Sequence, residues 1–326
     1  MFYDGKKVLV TGGTGFIGTH IVRELLKTGA RIRVPIHNRP LIVRDERIET
    51  LQADLTRQED CLRILTGVDY VFHAAGSVGA AGVTNPMSSI TINLILTAQI
   101  LQAAWTAGVQ RILIFGSSTG YPAADHPVKE DEMWSGAPHP VYTGYGWMRR
   151  YLERLGEFVH SKSGMKVAVV RPTAVYGPWD NFDLKTCHVI PALVRRAVEK
   201  ENPFVVWGSG EEIRDFLHAS DLARACLLML ENYAECDPVN IGYGKTLTIK
   251  ETVDTVLKAA GHSDAEVVFD STKPTTIPYR AVDIGKAKQT LGFEPAVSLK
   301  EGVKDTVQWY REKTGISPLV DRCCTK

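Results

Sequence analysis

A glycine-rich turn lies between an apolar run and a helical pattern at the start of this chain. The run 7–10 reads KVLV, the turn 11–18 reads TGGTGFIG, and apolar residues then recur at helical spacing. Such glycines let the backbone turn tightly and approach a pyrophosphate, which N–H groups at the helix N-terminus can bind. The context predicts a dinucleotide site rather than a plain strand-to-helix turn. The residues predicted to contact the cofactor here are Gly12, Thr14, Gly15, Phe16, Ile17 and Gly18.

Short apolar runs alternate with helical patterns through the first half of the chain. Strands are predicted at 6–11, 31–36, 69–73, 111–116 and 166–171. Helices are predicted between them at 16–28, 58–65, 88–107 and 144–163. This alternation predicts an α/β fold, a Rossmann-like doubly wound parallel sheet with helices on both faces.

The composition of the chain changes after Pro172, where Gly, Pro and Trp become frequent. A strand–helix–strand pattern is predicted within 216–245. Two helices are predicted within 246–313, around the proline-rich stretch 274–278. We predict a dinucleotide-binding Rossmann domain and a smaller C-terminal lobe that binds the substrate. The first comprises 1–172 and about 216–245, and the second comprises 173–215 and 246–326.

The charges of the chain are balanced, with 38 Lys and Arg against 37 Asp and Glu and a net charge of +1. This balance favours neither nucleic acid nor an anionic membrane surface as a partner. No apolar run has the length of a membrane span, and the first strand begins too early for a signal peptide, so we expect a cytoplasmic protein. The six cysteines lack paired metal-ligand spacing, so we expect reduced thiols and no metal site.

The end of the second predicted strand indicates which dinucleotide binds. NAD sites usually place an Asp or Glu there for the ribose 2′-OH, whereas this strand runs into His37, Asn38 and Arg39. These residues favour a 2′-phosphate and hence NADP(H), with NAD(H) as the open alternative and a plain surface arginine as the other interpretation of Arg39. Asp54 and Leu55 are predicted to lie at the adenine, where Asp54 could equally cap a helix over 56–65.

A tyrosine and an arginine four residues apart form a candidate catalytic pair. Tyr145 and Arg149 share one face of the predicted helix 144–163. A phenol is ordinarily protonated near neutral pH, and a cation held beside it favours the phenolate. Ser117 follows the predicted strand 111–116, where open α/β sheets bind their ligands, and could hold a substrate oxygen beside the tyrosine. Without the glycine turn, the same residues would be interpreted as a helix aromatic, a solvated charge and a polar loop.

These residues resemble the extended short-chain dehydrogenase/reductase superfamily, which includes the NAD-dependent epimerases and dehydratases, and the similarity covers nearly the whole chain. The motifs that carry it lie at 11–18, 54–55, 73–76, 93, 117–118, 145–149, 171–172, 176–178, 214–218, 221 and 283–293. Within that superfamily the chain is most similar to the GDP-L-fucose synthases. The similar segments are 176–182 (YGPWDNF), 187–193 (CHVIPAL), 205–210 (VVWGSG) and 214–218 (RDFLH).

The resemblance implies a role for each matching residue. Ser117 and Tyr145 would contact the substrate oxygen, Arg149 would occupy the position of the family's lysine, and His188 would match the general acid of the epimerisation steps; a capping or core histidine is the other interpretation. Arg214 would bind the diphosphate, with Arg280 as a second candidate. The other implied cofactor residues are Ala74, Ala75, Gly76 and Pro172, and the other implied substrate residues are Ser118, Asn181 and Val189.

Several positions depart from the family pattern. The usual Tyr-x-x-x-Lys is Tyr-x-x-x-Arg here, and Arg differs from Lys in shape and is never neutral. Thr119 occupies the position of the fucose synthase cysteine that abstracts protons beside the ketone, and a neutral hydroxyl is a poor base. Ala174 replaces an asparagine near the sugar diphosphate. The acidic pair that 4,6-dehydratases carry after Ser117 is absent, which disfavours elimination, and threonine at 119 is often found in 4-epimerases of UDP-sugars.

Three functions follow as alternatives. The first is an NAD(P)-dependent oxidoreductase/epimerase that transfers hydride at C4 of a nucleotide-diphosphate sugar, in particular an NADP(H)-dependent 4-keto-sugar reductase. The second is a nucleotide-sugar 4-epimerase with a tightly held cofactor, and the third is a cofactor-binding protein with impaired catalysis. The helices 88–107 and 144–163 carry apolar residues on more than one face. In relatives such helices form a four-helix interface, so we expect a homodimer, with packing on the sheet as the alternative explanation.

Overall fold

The computed structural model describes residues 1–77, 86–273 and 275–316. Its strands are β1 (Lys7–Thr11), β2 (Arg31–Ile36), β3 (Ile48–Gln52), β4 (Tyr70–His73), β5 (Arg111–Phe115), β6 (Lys166–Pro172), β7 (Ala174–Tyr176), β8 (Phe204–Trp207), β9 (Ile213–Arg214), β10 (Phe216–His218), β11 (Val239–Ile241), β12 (Leu247–Thr248), β13 (Val267–Asp270) and β14 (Tyr279–Arg280). Its α-helices are α1 (Phe16–Leu25), α2 (Gln58–Leu65), α3 (Pro86–Thr106), α4 (Thr143–Ser163), α5 (Val189–Val198), α6 (Ala219–Asn232), α7 (Ile249–Ala259), α8 (Gly285–Leu291) and α9 (Leu299–Thr314).

The central sheet consists of seven strands in the order β3-β2-β1-β4-β5-β6-β11. All of its neighbouring strands run parallel, with β1 between β2 and β4. The strand order reverses at β1, and open α/β sheets bind ligands outside the carboxyl ends of the strands at such a switch point. The predicted α/β fold with a Rossmann-like doubly wound parallel sheet is confirmed.

Two apolar clusters cover the two faces of the sheet. One contains Ile21 of α1, Leu222 of α6 and Phe293 just after α8, all fully buried. The other contains Leu65 of α2 and Ile100 of α3, also fully buried. Because both faces are covered, most of the strands are apolar runs, and the sequence pattern located these.

One strand of the sheet, β3, was missing from the sequence prediction. It is the edge strand, and Glu49, Thr50 and Gln52 within it are exposed. A short polar edge strand carries little hydrophobic pattern, since only one of its sides pairs and few of its side chains are buried. The prediction of two helices within 246–313 was also wrong, because α7, α8 and α9 all begin there and α8 has only seven residues.

A third apolar cluster forms a smaller lobe beside the sheet. It joins α5, α7 and α9 with the loop after β7 through Phe182, Val194, Val256 and Val307. Small sheets complete the lobe: β7 pairs with β10, β8 with β13, and β9 lies between β12 and β14. The division into two domains stays a prediction; within it, α8 packs on the core of the central sheet although it lies in the segment assigned to the second lobe. Residues 317–326 of that segment lie outside the described residues.

The helix α3 contradicts the expectation that no segment has the length and apolarity of a membrane span. The part Met87–Thr106 passes that test, with a mean hydropathy of 1.3. This is weak evidence, since a core helix of a protein outside membranes passes the same test. Ile100, Leu101, Ala103 and Ala104 of the helix are buried in the core against the sheet.

Candidate functional site

The turn after β1 brings backbone atoms together at two of its glycines. Gly12 has a φ of +68°, and a Cβ there would lie 2.7 Å from backbone atoms of Ala74 and Ala75. A Cβ on Gly18 would lie 2.1 Å from the carbonyl oxygen of Gly12. Gly15 differs, since a Cβ there would meet only that same oxygen, at 3.2 Å. Two glycines therefore pack the turn, and the third leaves space for a ligand to approach the backbone.

The helix α1 begins directly after Gly15, which is its N-cap. No side chain caps this end, and the first turn contains no acidic residue. Its free N–H groups and the positive end of the helix dipole therefore favour an anion. Thr14, Phe16 and Ile17 surround this helix end and are half-buried. The geometry fits the pyrophosphate of a dinucleotide.

The segment after β4 is fixed against β1 by a buried hydrogen-bond chain. The Thr11 hydroxyl lies 2.8 Å from His73 Nδ1 and accepts a 3.2 Å hydrogen bond from the Ala75 N–H. Burial lowers the pKa of His73 to about 3, so its ring is neutral. The chain at 74–76 is thereby held against the glycine turn. Contacts of Ala74, Ala75 and Gly76 with the cofactor stay predictions.

The same loop is held from the other side by Asn93, a buried residue of α3. Its Oδ1 accepts a 3.0 Å hydrogen bond from the Ser77 N–H, and its Nδ2 donates a 2.8 Å bond to the Ser77 carbonyl. A Cβ on Gly76 would lie 2.5 Å from Asn93 Oδ1, so the glycine permits this close approach. Asn93 was part of the sequence resemblance but had no predicted role; the structure shows it supporting the loop.

The carboxyl end of β2 presents His37, Asn38 and Arg39, all exposed. Among the described residues, Arg39 has no hydrogen-bond or ion-pair partner, and the strand end carries no carboxylate. Asp54 accepts hydrogen bonds from the N–H and the hydroxyl of Thr56, which lower its pKa. Asp54 thus shapes the turn before α2, whose N-cap is Arg57 rather than Asp54. Leu55 is buried in the core beneath this turn.

Ser117 and Thr119 lie just beyond the carboxyl end of β5. Ser117 Oγ accepts a 2.8 Å hydrogen bond from the Thr119 hydroxyl and a 3.2 Å bond from the Thr119 N–H. Ser117 is the N-cap of the 3₁₀ turn Ser118–Gly120. The Thr119 hydroxyl is therefore a donor to Ser117, and Thr119 is buried.

Tyr145 and Arg149 meet as the helical spacing predicts. Arg149 Nη2 donates a 2.5 Å hydrogen bond to Tyr145 Oη, and its guanidinium carbon lies 5.0 Å from the centre of the tyrosine ring. Arg149 Nη1 donates a 3.2 Å bond to the carbonyl of Phe115, the last residue of β5. The arginine thus ties the tyrosine on α4 to the strand end that leads to Ser117. Pro172, the last residue of β6 in the same sheet, is half-buried.

Ser118 points to a different partner from Ser117. Its Oγ accepts hydrogen bonds of 3.1 and 2.8 Å from Nε and Nη2 of Arg280 on β14. The Arg280 guanidinium also lies 5.4 Å from the centre of the Tyr142 ring. These three residues line one end of a cleft of about 590 Å³. Tyr142 had no predicted role. The available signal was its position three residues before Tyr145, at the N-cap of α4.

Arg214 is buried on β9, where its guanidinium donates to backbone carbonyls rather than to acids. Nη2 donates a 2.7 Å hydrogen bond to the Ile277 carbonyl, and Nη1 a 2.7 Å bond to its neighbour Ile213. Burial and the positive charge of Arg280 lower the pKa of Arg214. Among the described residues, neither arginine has a carboxylate at ion-pair distance. Two cations that repel each other without an acid between them form a site suited to a diphosphate.

His188 is the N-cap of α5, and its side chain is 49% exposed. Partial burial and the positive charge of Arg280 lower its pKa. Its Nδ1 lies 4.0 Å from Oδ1 of Asp180, a carboxyl whose side chain is only 4% exposed. Asp180 was missed as a site residue, because nothing in the sequence indicates that its carboxyl is buried.

Two predicted substrate residues near His188, Asn181 and Val189, are exposed as His188 is. Asn181 uses its side chain within its own loop: Nδ2 donates a 2.8 Å hydrogen bond to Thr186, and Oδ1 accepts one of 3.0 Å from the Asp183 N–H. Val189 is the first residue of α5 and is 42% exposed. Contacts of these two residues with a substrate stay predictions.

Comparison with known proteins adds an independent line of evidence. The model of the NAD dependent epimerase/dehydratase family matches residues 8–242. GDP-L-fucose synthase from Escherichia coli (strain K12) is 33% identical over 323 residues, covering 94% of this chain and 97% of that protein. A dTDP-4-dehydro-6-deoxy-D-allose reductase from Streptomyces sp is 28% identical over 321 residues, covering 95% of this chain and 97% of that protein.

Solved structures show the same architecture. UDP-glucose 4-epimerase from Thermotoga maritima, determined with UDP-glucose, matches with a TM-score of 0.84 at 29% sequence identity. The match covers 94% of this chain and 99% of that one. The three similar proteins are named as a synthase, a reductase and an epimerase, so the choice among these activities has to come from the residues of the site.

Proposed function

The chain belongs to the NAD dependent epimerase/dehydratase family, and we propose that within this family it is an NADPH-dependent reductase of a nucleotide-linked 4-keto sugar. At the coarser level it is an NAD(P)-dependent enzyme that acts on a nucleotide sugar. The observation that carries the choice of reductase is the 2.8 Å hydrogen bond from the Thr119 hydroxyl to Ser117. A neutral hydroxyl committed as a donor is a poor base. The site therefore has no base where the resemblance assigns proton abstraction beside the ketone.

The glycine turn supports binding of the cofactor. Gly15 leaves the backbone open, and the uncapped start of α1 supplies N–H groups for the pyrophosphate. Arg39 would neutralise a 2′-phosphate at the end of β2. When bound, NADPH supplies a hydride equivalent to the sugar C4.

Tyr145 and Ser117 would act on the oxygen at C4. As the ketone becomes an alkoxide, Tyr145 Oη gives it a proton, while the Ser117 hydroxyl holds the oxygen in place. Arg149 stabilises the tyrosinate that remains, since Nη2 already donates to Tyr145 Oη at 2.5 Å. The arginine therefore supplies the positive charge that the usual lysine would supply at this position.

Arg214 and Arg280 would bind the diphosphate of the nucleotide sugar. Both are cations without a carboxylate partner among the described residues, and Arg280 is anchored to Ser118 beside the catalytic loop. A diphosphate placed between them would offset their mutual repulsion. This anchoring would leave the sugar near Ser117, and His188 would contact a ring hydroxyl.

A reduction assay with isotope detection tests this function. The purified protein is mixed with NADPH and GDP-4-keto-6-deoxymannose in D2O, and NADPH absorbance and the product NMR spectrum are recorded. We expect stoichiometric NADPH consumption and no deuterium at C3 or C5, because Thr119 supplies no base to exchange those protons. Thr119→Cys is the matched variant, in which exchange at these carbons is expected to appear. Absence of turnover with GDP-, dTDP- and UDP-linked 4-keto sugars would contradict the proposal.

A nucleotide-sugar 4-epimerase is the second candidate. It is favoured by the similarity to UDP-glucose 4-epimerase and by threonine at position 119. Such an enzyme oxidises C4 and reduces it again from the other face, so it consumes no cofactor. Interconversion of UDP-glucose and UDP-galactose by the protein without added NADPH would favour this candidate over the reductase.

The preference for NADPH rests on Arg39. Arg39→Ala is expected to raise the KM for NADPH about tenfold and to leave the KM for NADH unchanged, because only NADPH carries the 2′-phosphate. Arg44→Ala is the matched control, an exposed arginine in the same loop. Equal effects on both cofactors would show that Arg39 does not distinguish them.

We also propose a homodimer through α3 and α4. Trp105 of α3 and Phe158 of α4 are 42% and 54% exposed, with ring centres 6.5 Å apart, and Tyr151 of α4 is 58% exposed. Contiguous exposed aromatic residues of this kind are typical of an interface. Light scattering is expected to give twice the monomer mass, and Phe158→Glu is expected to give the monomer.

A cytoplasmic location belongs to the same proposal. The described cysteines, which are Cys61, Cys187, Cys226 and Cys236, are free thiols. Free thiols persist in a reducing compartment. Recovery of the native protein in the cytoplasmic fraction after cell breakage is the expected result, and recovery with membranes would contradict it.

A further inference from the structure

Asp180 is a buried carboxyl that the proposed mechanism does not use. Its side chain is 4% exposed, its Oδ1 accepts a 2.7 Å hydrogen bond from the Asn181 N–H, and its Oδ2 is buried without a partner. Leaving a carboxylate oxygen buried and unpaired costs stability. A protein that retains such a group commonly uses it at a functional site.

The backbone beside Asp180 is also held in an unfavourable conformation. Trp179 has a φ of +66°, in the left-handed region that a bulky side chain rarely adopts. Its ring packs against α1, with its centre 5.0 Å from that of His20 and 4.8 Å from the guanidinium carbon of Arg23. On the other side it contacts Trp309 of α9. These contacts fix the turn that directs Asp180 inward, and they connect it to the helix that begins at the glycine turn.

The nearest basic group to this carboxyl is the ring of His188. Nδ1 of His188 lies 4.0 Å from Asp180 Oδ1, and no described residue donates to or accepts from that ring nitrogen at hydrogen-bond distance. Functional hydrogen bonds are often this long before a substrate binds and shorten in the complex. The other charged or titratable groups around the pair are Arg280, which faces His188, and Cys187, which faces Asp180.

We propose that Asp180 is a positioning residue for His188: its carboxyl accepts the Nδ1 proton, which leaves Nε2 as an acceptor for a hydroxyl of the bound sugar. Because a neutral imidazole has one donor and one acceptor nitrogen, fixing the first assigns the second. Without the carboxyl, the ring would be free to carry its proton on Nε2 and would present a donor to the sugar. This inference rests on the proposed function for the identity of the ligand, but the state of the ring can be measured without one.

The direct test is the tautomer of His188 by NMR. Long-range 1H–15N spectra of 15N-histidine-labelled protein are recorded at a pH where the ring is neutral, and His188→Asn identifies the signals. We expect the Nδ1–H tautomer in the wild type and a shift toward Nε2–H in Asp180→Ala. Asp183→Ala, an exposed acid of the same loop, is the matched control and is expected to leave the spectrum unchanged. If Asp180→Ala does not fold, the wild-type spectrum alone decides, and the Nε2–H tautomer in it overturns the proposal.

A kinetic cycle tests the same idea on the reaction. We expect Asp180→Ala to lower kcat/KM for the nucleotide keto sugar about tenfold, and no further loss when it is added to His188→Ala, because both changes remove one function. Independent, additive losses would overturn the positioning role. Absence of wild-type turnover would contradict the proposed function but not the positioning role, which the NMR spectra then decide.

Discussion

Two buried arginines, Arg171 and Arg214, are held in opposite ways. Arg171 on β6 forms an ion pair with Glu153 of α4 through two hydrogen bonds of 2.9 and 2.7 Å. It also donates to the Tyr121 hydroxyl at 2.9 Å. Arg214 on β9 donates to carbonyls and has no carboxylate at ion-pair distance among the described residues. One positive charge is neutralised inside the protein, whereas the other retains its attraction for an anion.

The difference distinguishes a buried charge that an ion pair neutralises from a buried charge that can still attract an anionic ligand. A buried ion pair with all of its hydrogen bonds made has no capacity to bind anything else, and removing one partner leaves an uncompensated charge. A buried cation held only by neutral groups keeps most of its field. The ion pair of Arg171 joins β6 of the central sheet to α4, whereas Arg214 lies on β9 next to Arg280, which lines the cleft beside Ser118.

The largest expected effect is on the neutralised pair. Arg171→Met is expected to lower the free energy of unfolding by about 4 kcal/mol, because Glu153 stays buried without its partner. Urea denaturation measures the loss. Arg154→Met, which breaks the exposed pair of Arg154 with Glu157, is the control and is expected to cost at most about 0.5 kcal/mol. Equal losses of unfolding free energy in the two variants would show that the buried ion pair stabilises the fold no more than the exposed one.

Tyr145→Phe tests the catalytic assignment. We expect kcat to fall about 100-fold, equivalent to about 3 kcal/mol, since the proton donor is removed. Stability should change little, because Tyr145 is only half-buried and Arg149 retains its bond to Phe115. The measurement is steady-state NADPH oxidation, with thermal unfolding as the control. An unchanged kcat would show that another group protonates the product.

Arg280→Met tests the proposed binding of the diphosphate by this arginine. The KM for the nucleotide sugar is expected to rise about tenfold, or about 1.4 kcal/mol, because one diphosphate contact is lost. The melting temperature should stay the same or rise, since the repulsion between Arg280 and Arg214 is removed. The affinity for NADPH serves as the internal control. A fall in melting temperature as large as that of Arg171→Met would show that Arg280 stabilises the fold as much as Arg171 does.

The last expected effect concerns the pH dependence of stability. Burial raises the pKa of Asp180 to about 7, from 3.8. Its favourable contribution is therefore complete below pH 3.8 and is lost as the pH rises toward 7. The buried rings of His20 and His73 act in the opposite direction, since their pKa values are lowered to about 4 and about 3 and their contribution is lost as the pH falls below 6.5.

The variant Asp180→Asn measures how much Asp180 contributes to the pH dependence of stability. The difference in melting temperature between the variant and the wild type should be near zero at pH 4 and should grow in favour of the variant up to about pH 7. A rise in the pKa from 3.8 to about 7 corresponds to at most about 4 kcal/mol, or about 8 °C in a chain of this size. A constant difference across this range would show that Asp180 is ionised in the folded protein even at low pH.

The features found from the sequence are those that lie close together in the chain. The glycine turn joins β1 to α1 without interruption, so its three glycines and the helix N-terminus could be identified together. Tyr145 and Arg149 are neighbours on one helix face, and the structure joins them at 2.5 Å. Most of the buried strands of the central sheet were located because they are apolar runs.

The features that were missed depend on contacts between distant segments. The edge strand β3 carries few buried side chains, so its pairing with β2 is decided in the sheet and not by its own pattern. The burial of Asp180 follows from how Trp179 packs between α1 and α9. Tyr142 gains significance only because β14 brings Arg280 over its ring.

The sequence by itself determined the parallel α/β fold and the dinucleotide turn, because both follow from the local spacing of glycines and apolar residues. Tertiary structure alone decided which charges are neutralised. Arg171, Arg214 and Arg280 are chemically alike in the sequence, but of these three only Arg171 contacts a carboxylate among the described residues. The physical reason is that a buried charge is neutralised only by groups within a few ångströms of it. Segments distant in the chain supply those groups.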